Sequence, residues 1–186
     1  MHIPVKNKTV LFQSEEIDRK VNEISRKILD YKLEHHVYIV FTVILKGGFK
    51  VASQIMKNFD LMGYDYSVTF VNAKSYYNDT SPDKNELKIS FLDNIVEEFK
   101  DQTFVIIDDV LDTGSTMFGV KESLSSVTDK IVTCVLVDKP FRRKADITAD
   151  ISGFTVDEDH FLVGYGMGLG ETYRSDPFIS VLELEK

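Results

Sequence analysis

The spacing of hydrophobic residues near the amino terminus predicts a helix followed by a buried strand. Apolar residues recur every three or four positions after Ser14, which has the character of an N-cap, so we expect an amphipathic helix over about 15–33. Val37–Leu45 is a dense run of β-branched and aromatic residues, which is typical of a buried strand. The adjacent residues Gly47 and Gly48 follow the end of this strand.

Helices and strands continue to alternate along the rest of the chain. The further predicted elements are, in order, a helix at about Phe49–Phe59, a strand at Tyr64–Ala73, an exposed polar loop at Tyr76–Glu86, a short strand at Leu87–Phe91, a strand at Thr103–Ile107, a helix at Thr116–Val127, a strand at Ile131–Val137 and short strands near Ile151–Phe154, Phe161–Val163 and Ser180–Leu184. The order strand–helix–strand occurs three times, which predicts an α/β fold with a mainly parallel sheet and helices on both faces.

The composition of the 186-residue chain is that of an ordinary globular domain, with 43% apolar and 28% charged residues. A formal net charge of −8 argues against binding to nucleic acid or to an anionic membrane, because both attract basic surfaces. The single cysteine, Cys134, lies in an apolar run, so we expect a buried thiol and no intrachain disulfide. We see no signal-peptide pattern and no apolar run long enough to span a bilayer, and we expect a cytoplasmic protein.

The segment Val105–Met117, with the sequence VIIDDVLDTGSTM, carries the strongest chemical signal. It places a buried strand before a turn that contains Gly114, and a helix starts after the turn. In parallel α/β sheets ligands collect at the carboxyl ends of strands, and a helix N-terminus attracts phosphate. Glycine lets the backbone approach a ligand closely, and three hydroxyls add donors: Thr113, Ser115 and Thr116. We therefore expect this turn to hold a phosphate monoester without a lysine.

Three aspartates lie just before this turn. Asp108 and Asp109 suit the hydroxyls of a ribose, because carboxylates accept hydrogen bonds, and they can help to hold Mg²⁺. Asp112 lies one position before the turn, where its carboxylate could take or give a proton.

This segment closely resembles the ribose-diphosphate-binding motif of the type I phosphoribosyltransferases, and residues from about Val10 to Leu184 are similar to the hypoxanthine-guanine branch of that family. The resemblance implies a single domain over 1–186 with a mainly parallel twisted sheet flanked by helices. A small hood would be formed by the terminal segments at about 1–12 and 150–186. It also implies a homodimer or homotetramer that uses Mg²⁺ and transfers the ribosyl phosphate of 5-phosphoribosyl 1-diphosphate to a purine base.

The resemblance further implies roles for residues that contact the donor. The turn after the first buried strand would bind pyrophosphate through Lys46 and Gly47, often with a cis peptide in the family, and Arg174 would contact the same group. Ser75 and Tyr76 match the family's flexible lid, which closes over the reacting centre. The 5′-phosphate would be held by the residues of the glycine turn: Asp112, Thr113, Gly114, Ser115 and Thr116.

The base would lie beside a second group of residues implied by the resemblance. Lys139 would donate a hydrogen bond to the exocyclic oxygen of a 6-oxopurine, and an ammonium group, which has only donors, should disfavour adenine. Phe161 would stack on the purine ring and the backbone at Leu162 would contact the base edge. Asp112 would accept the proton that the purine loses.

At two places the sequence does not support a further binding residue. Gly168 stands where the family usually has an acidic residue, which puts in doubt a second metal contact and the usual recognition of guanine's amino group; water or Glu171 could substitute. The basic run Arg142, Arg143 and Lys144 is expected to be a solvated face.

Three alternative functions stay open from the sequence. The same fold could act on orotate, uracil or adenine. A nucleotide-sensing regulator that binds RNA would need a basic face, which the net charge disfavours. A non-catalytic subunit would be consistent with Gly168 but not with the intact aspartates. The sequence does not decide among hypoxanthine, guanine and xanthine.

Overall fold

The computed structural model describes residues 5–77, 85–91 and 98–185, with the backbone alone at 74–77 and 85–87. Its helices and strands alternate in the order expected of an α/β protein. The strands are β1 (Val5–Phe12), β2 (Ile39–Leu45), β3 (Ser67–Tyr77), β4 (Asn85–Phe91), β5 (Thr103–Leu111), β6 (Ile131–Asp138), β7 (Ile151–Thr155), β8 (Phe161–Val163) and β9 (Ile179–Leu184). The helices are α1 (Ser14–His35), α2 (Phe49–Met62) and α3 (Ser115–Ser125), with a short 3₁₀ helix at Pro140–Arg142.

The larger sheet has six strands in the order β4-β3-β2-β5-β6-β7. Its strands run parallel, except that β4 returns antiparallel beside β3. Helices α1 and α2 pack on one face through Ile17, Val21 and Phe59, and α3 packs on the other through Val120 and Leu124. The predicted mainly parallel sheet with helices on both faces is confirmed.

The smaller sheet joins the two ends of the chain. Strand β1 pairs antiparallel with β9, which pairs antiparallel with β8. The expected hood therefore corresponds to this three-stranded sheet, but it does not begin near 150, because β7 belongs to the larger sheet beside β6.

Several element boundaries differ from the prediction. Where a loop is expected at Tyr76–Glu86, β3 extends to Tyr77 and β4 begins at Asn85, and residues 78–84 lie outside the described residues. Pairing between β3 and β4 holds Tyr76, Tyr77, Asn85 and Glu86 in extended conformations. Ser14 is the first residue of α1 rather than its N-cap, since Gln13 precedes the helix and its amide donates to Glu16 Oε2 at 2.9 Å.

None of the helices in the described parts of the chain has the length and apolar character that crossing a membrane would require.

Cys134 lies in β6 and is buried in the core between the sheet and α1. Burial raises the pKa of its thiol to about 12, because the charged thiolate would lose its hydration.

We therefore predict that the native protein does not react with a disulfide-exchange reagent at neutral pH, whereas the unfolded chain reacts at one thiol per chain. Absorbance of the released reagent measures both, and prompt labelling of the native protein would contradict the burial.

Candidate active site

The carboxyl ends of β2 and β5 bring the turn at 46–48 against Asp108 and Asp109, the acid pair of the site. The two strands pair in parallel as far as Val43 and Ile107, so the residues that follow each strand lie at the same edge of the sheet. The peptide bond between Leu45 and Lys46 is cis. A Cβ atom placed on Gly47 would lie 1.9 Å from Oδ2 of Asp109, so this close approach requires glycine.

The acid pair is held by backbone amides at the end of β5. The amide of Asp109 donates to Oδ1 of Asp108 at 2.9 Å, and the amide of Val110 donates to Oδ1 of Asp109 at 2.7 Å. Burial and then the charge of Asp109 raise the pKa of Asp108 well above its ordinary value, and burial also raises the pKa of Asp109. The raised pKa values mean that ionising these carboxylates costs free energy. A ligand that brings positive charge or hydroxyl donors to them would offset that cost.

The glycine turn lies between β5 and α3, as the sequence predicts. Gly114 has φ of 86° and directly precedes the first helical residue, Ser115. The first amides of a helix have no partner within it, so those at the start of α3 are available to an anion. The hydroxyls of Thr113 and Ser115 lie 3.4 Å apart at the same turn. A recess of about 240 Å³ is lined by this segment: Asp108, Asp109, Val110, Leu111, Asp112, Thr113, Gly114, Thr116 and Met117.

Arg143 fixes the strand end that leads into this turn. Its guanidinium donates to the carbonyl oxygens of Leu111 and Asp112, both at 3.0 Å, and to that of Ile147 at 2.6 Å. It also forms an ion pair with Asp138 at the end of β6. With four acceptors from three segments, the fork of Arg143 holds the backbone of the turn against the neighbouring strand.

The prediction of a solvated basic face is therefore wrong for Arg143, whose side chain is 14% exposed. Backbone contacts hold the same segment to the turn, because the amides of Lys144 and Ala145 both donate to the carbonyl of Thr113, at 2.9 and 3.0 Å. The side chains of Lys144 and Arg142 are exposed.

Lys139 and Phe161 line the other side of the site. The Lys139 side chain is 4% exposed, and its ammonium donates to the carbonyl of His160 at 2.6 Å and lies 3.9 Å from Oδ1 of Asp112. Burial lowers the pKa of Lys139, while the charge of Asp112 opposes that shift. Phe161 is 41% exposed at the start of β8, so its ring is not a core side chain, whereas Leu162 is buried.

A single cavity of about 390 Å³ unites most of the predicted site residues. The predicted residues on its wall are Lys46, Gly47, Asp108, Asp109, Asp112, Thr116, Lys139, Phe161, Leu162 and Arg174. Thr113 and Gly114 line the adjoining recess, and Ser115 is exposed beside it. The backbones of Ser75 and Tyr76 lie in β3, but the side chains of this predicted lid pair lie outside the described residues.

The loop that contains Gly168 folds around Arg174. The Arg174 guanidinium donates to the carbonyls of Gly166 at 2.7 Å and Gly170 at 3.0 Å. A Cβ atom on Gly168 would lie 2.9 Å from both Cγ of Arg174 and the carbonyl oxygen of Thr172. An acidic side chain at 168 is therefore excluded by this loop conformation.

Glu171 supplies an acid to the same region from three positions further along the chain. Its Oε1 lies 2.8 Å from the ammonium of Lys46, and its Oε2 lies 3.9 Å from Nε of Arg174. Both side chains of the Lys46 pair are well exposed, so the pair contributes little to stability and an anionic ligand can replace Glu171 beside Lys46.

Three contributors to the site were not predicted as such: Arg142, Arg143 and the carbonyl of His160. Arg143 lies 31 positions from Asp112, whose carbonyl it contacts, so no local spacing reveals the pair. The signal available from sequence is weak: a basic run follows the strand next to β5, and parallel strands end at one edge of the sheet.

Comparison with known proteins agrees with this geometry. The family model described as "Phosphoribosyl transferase domain" matches residues 9–171. A hypoxanthine-guanine phosphoribosyltransferase of Bacillus subtilis is 34% identical over 177 residues, which cover 94% of this chain and 92% of that protein. One of Aquifex aeolicus is 33% identical over 176 residues and 94% of both chains. A solved structure of a hypoxanthine phosphoribosyltransferase from Staphylococcus aureus, 31% identical, has a TM-score of 0.80 and covers 96% of this chain and 92% of that one.

The parallel sheet, the glycine turn at a helix start and the aspartates before it are typical of an α/β protein that binds a phosphorylated sugar. The matched family model and the relatives of nearly equal length make the assignment specific. The chain belongs to the phosphoribosyltransferase family.

We predict that Arg143→Lys weakens the turn, because a lysine keeps the charge near Asp138 but cannot reach all three carbonyls. The free energy of unfolding should fall by roughly 1–3 kcal/mol, the cost of leaving buried acceptors without donors. Urea denaturation measures it. Lys144→Gln, a change in the exposed neighbour, is the control and should have little effect; equal stability of both variants would contradict the role of Arg143.

A second prediction concerns the space at Gly168. Gly168→Asp should lower the free energy of unfolding by about 1–3 kcal/mol, because the new Cβ atom meets Arg174 and a backbone carbonyl. Gly170→Asn is the control, since nothing lies within 4 Å of a Cβ atom there and asparagine tolerates a positive φ. A Gly168→Asp variant as stable as the unaltered protein would show that the loop accommodates the acid.

Proposed function

We propose that the protein transfers the 5-phosphoribosyl group of 5-phosphoribosyl 1-diphosphate to a 6-oxopurine, releasing pyrophosphate. The observation that carries the proposal is the single cavity that has the acid pair, Asp112 and Thr116 of the proposed phosphate turn (residues 113–116) on one side and Lys139 with Phe161 on the other. Such a cavity can hold a phosphorylated sugar and a planar base at the same time.

The donor would be bound along the carboxyl ends of β2 and β5. Amides and hydroxyls at 113–116 suit the 5′-phosphate, and the carboxylates of Asp108 and Asp109 suit the two ribose hydroxyls. The pyrophosphate would lie beside Lys46, the amide of Gly47 and the guanidinium of Arg174. Nε of Arg174 is buried and has no hydrogen-bond partner among the described residues, which leaves one donor of this group without an acceptor.

The acid pair also fits the Mg²⁺ that the resemblance implies. Two adjacent carboxylates offer the oxygen ligands this cation prefers, and a cation beside them would favour their ionised forms against the burial that raises both pKa values. Within residues 5–77, 85–91 and 98–185, no group of three His, Cys, Asp or Glu side chains is placed to hold a metal ion. The remaining ligands would then come from the donor and water, as is usual for Mg²⁺ with phosphate substrates. When bound, the ion would neutralise charge on the pyrophosphate oxygens.

The base would lie against Phe161, whose exposed ring can stack on a purine. The ammonium of Lys139 has one donor committed to the carbonyl of His160, and its remaining donors suit the carbonyl oxygen of a 6-oxopurine. An amino group in that place, as in adenine, would meet donors with donors. The backbone at Leu162 would contact the edge of the base.

The chemical step balances with Asp112 as proton acceptor. The lone pair of a purine nitrogen forms the bond to the anomeric carbon while the carbon–oxygen bond to pyrophosphate breaks, and the electron pair leaves with the pyrophosphate. The attacking imidazole nitrogen carries no hydrogen, and the proton on the other imidazole nitrogen of the purine passes to the carboxylate of Asp112, which lies on the cavity wall between the phosphate turn and Lys139.

The rival functions are less well supported. Orotate and uracil leave the stacking surface of Phe161 less fully used, and the relatives described above are named for hypoxanthine and guanine. A nucleotide sensor that binds RNA remains at odds with the net charge of −8. The expected homodimer or homotetramer stays a prediction, as does the cytoplasmic location.

Turnover with a series of bases tests the proposal. We expect the protein with Mg²⁺ and the donor to form nucleotide and pyrophosphate from hypoxanthine, and none from adenine, orotate or uracil, as measured by chromatography. Guanine and xanthine in the same series determine the preference among 6-oxopurines. Turnover with adenine instead of hypoxanthine would contradict the assigned role of Lys139, and retention of RNA at physiological salt without turnover would favour the regulator.

Asp112→Asn tests the proton acceptor. The variant should lose roughly 10²–10⁴-fold in kcat, because an amide cannot take the purine proton, while KM for the donor changes little. Steady-state kinetics with each substrate varied in turn separates the two parameters. Ser115→Ala is a useful comparison, because it removes a phosphate donor and should act on the donor's KM; unchanged kcat in Asp112→Asn would remove the assigned role.

A further inference from the structure

Arg142 bridges the two walls of the base side of the cavity. It is the last residue of the 3₁₀ helix and lies on the cavity wall. Its Nε lies 2.8 Å from Oδ1 of Asp112, and its Nη1 donates a hydrogen bond to Oδ1 of Asp159. Asp112 precedes the phosphate turn, and Asp159 lies in the loop that leads to Phe161. One guanidinium therefore ties the phosphate side of the site to the segment that carries the stacking ring.

The charges around Asp112 give its two carboxylate oxygens different environments. Oδ1 is buried and forms ion pairs, without hydrogen-bond geometry, with Nε of Arg142 at 2.8 Å and with the ammonium of Lys139 at 3.9 Å. With these two cations beside Oδ1, Oδ2 would be the oxygen that faces a ligand.

We propose that Arg142 is a positioning residue for phosphoribosyl transfer: it holds the Asp112 carboxylate so that Oδ2 faces the purine proton, and it is itself anchored by Asp159. This inference rests on the proposed function and adds to it a residue that acts through Asp112. The ion pairs and hydrogen bond described for Arg142 involve the side chains of Asp112 and Asp159 and none of the residues at 113–116, so its effect should fall on the base and the proton rather than on the 5′-phosphate.

The ionic surroundings of Arg142 keep the bridge in place. The hydrogen bond to Asp159, followed by the charge of Asp112, raises the pKa of Arg142, and the same hydrogen bond lowers the pKa of Asp159. An exposed ion pair of this kind adds little to folding stability, because solvent screens it. The side chain of Arg142 is 41% exposed, so substitutions there should leave the protein folded.

A positioning role has a kinetic signature that a structural role lacks. Loss of Arg142 should slow the chemical step and lower kcat/KM for the base, because the carboxylate is then free to rotate away from the purine proton. Binding of the donor should be unaffected, since its contacts lie on the other side of the cavity. In addition, the effect should vanish when Asp112 can no longer accept a proton.

The experiment compares Arg142→Gln with Arg142→Lys, Asp159→Asn and the double variant Asp112→Asn/Arg142→Gln. We expect Arg142→Gln to lower the single-turnover rate about tenfold, a fraction of the effect of general-base catalysis, with the donor's KM changed less than about twofold. Arg142→Lys, which keeps the charge without the fork, and Asp159→Asn, which removes the outer anchor, should each have smaller effects. Arg26→Gln is the matched control, because Arg26 is exposed on α1 away from the site, and should match the unaltered protein.

The double variant decides the outcome. If Arg142 acts through Asp112, Arg142→Gln should cause no further loss in the Asp112→Asn background. An equal loss in both backgrounds, no loss in the single variant, or a rise confined to the donor's KM would each overturn the positioning role. Failure of the unaltered protein to turn over any 6-oxopurine would instead overturn the proposed function.

Discussion

The candidate site depends most on two adjacent carboxylates at the end of β5, of which Asp109 is buried and Asp108 is partly buried. Asp108 and Asp109 lie where β2 and β5 finish in parallel, and the backbone of Gly47 packs directly on the second of them. Two adjacent negative charges with little water are costly, and the raised pKa of Asp108 expresses that cost. The cost falls when a ligand brings hydroxyl donors or a cation, so the acid pair favours the binding of such a ligand.

Two adjacent arginines divide the support of the neighbouring turn. Arg143 is largely buried and fixes the backbone through the carbonyls of Leu111 and Asp112, whereas Arg142 reaches the side chain of Asp112 from the cavity. The backbone contacts determine where the phosphate turn begins, and the side-chain contact determines which way the carboxylate faces. Substitution of Arg143 should therefore affect stability, whereas substitution of Arg142 should affect catalysis.

Much of the fold could be predicted because its signals are local. Apolar spacing located α1, and the β-branched runs located β2, β5 and β6, each within a few residues. The acids before Gly114 indicate the candidate site, because a strand end followed by a helix start is visible in sequence, and these acids line the cavity. The polar character of the residues from Tyr76 to Glu86 predicts a loop. In the structure Tyr76 and Glu86 are extended, because pairing between β3 and β4, rather than apolar character, holds them so.

The rest of the site could not be predicted because it depends on contacts between distant positions. Nothing near Arg143 in the sequence shows that its fork reaches carbonyls 31 and 32 positions away. Gly168 looks like a lost acid in sequence, but in the structure its missing side chain makes room for Arg174. Glu171, which the sequence offers as a substitute for that acid, lies beside Lys46, and only the folded loop shows this contact.

The most direct test of the account is a crystal structure with a bound purine nucleoside 5′-monophosphate. The account predicts that the phosphate lies within hydrogen-bond distance of the amides and hydroxyls at 113–116, with the ribose hydroxyls against Asp108 and Asp109 and the base on Phe161. A phosphate bound elsewhere, with the turn before α3 left without a ligand, would contradict it.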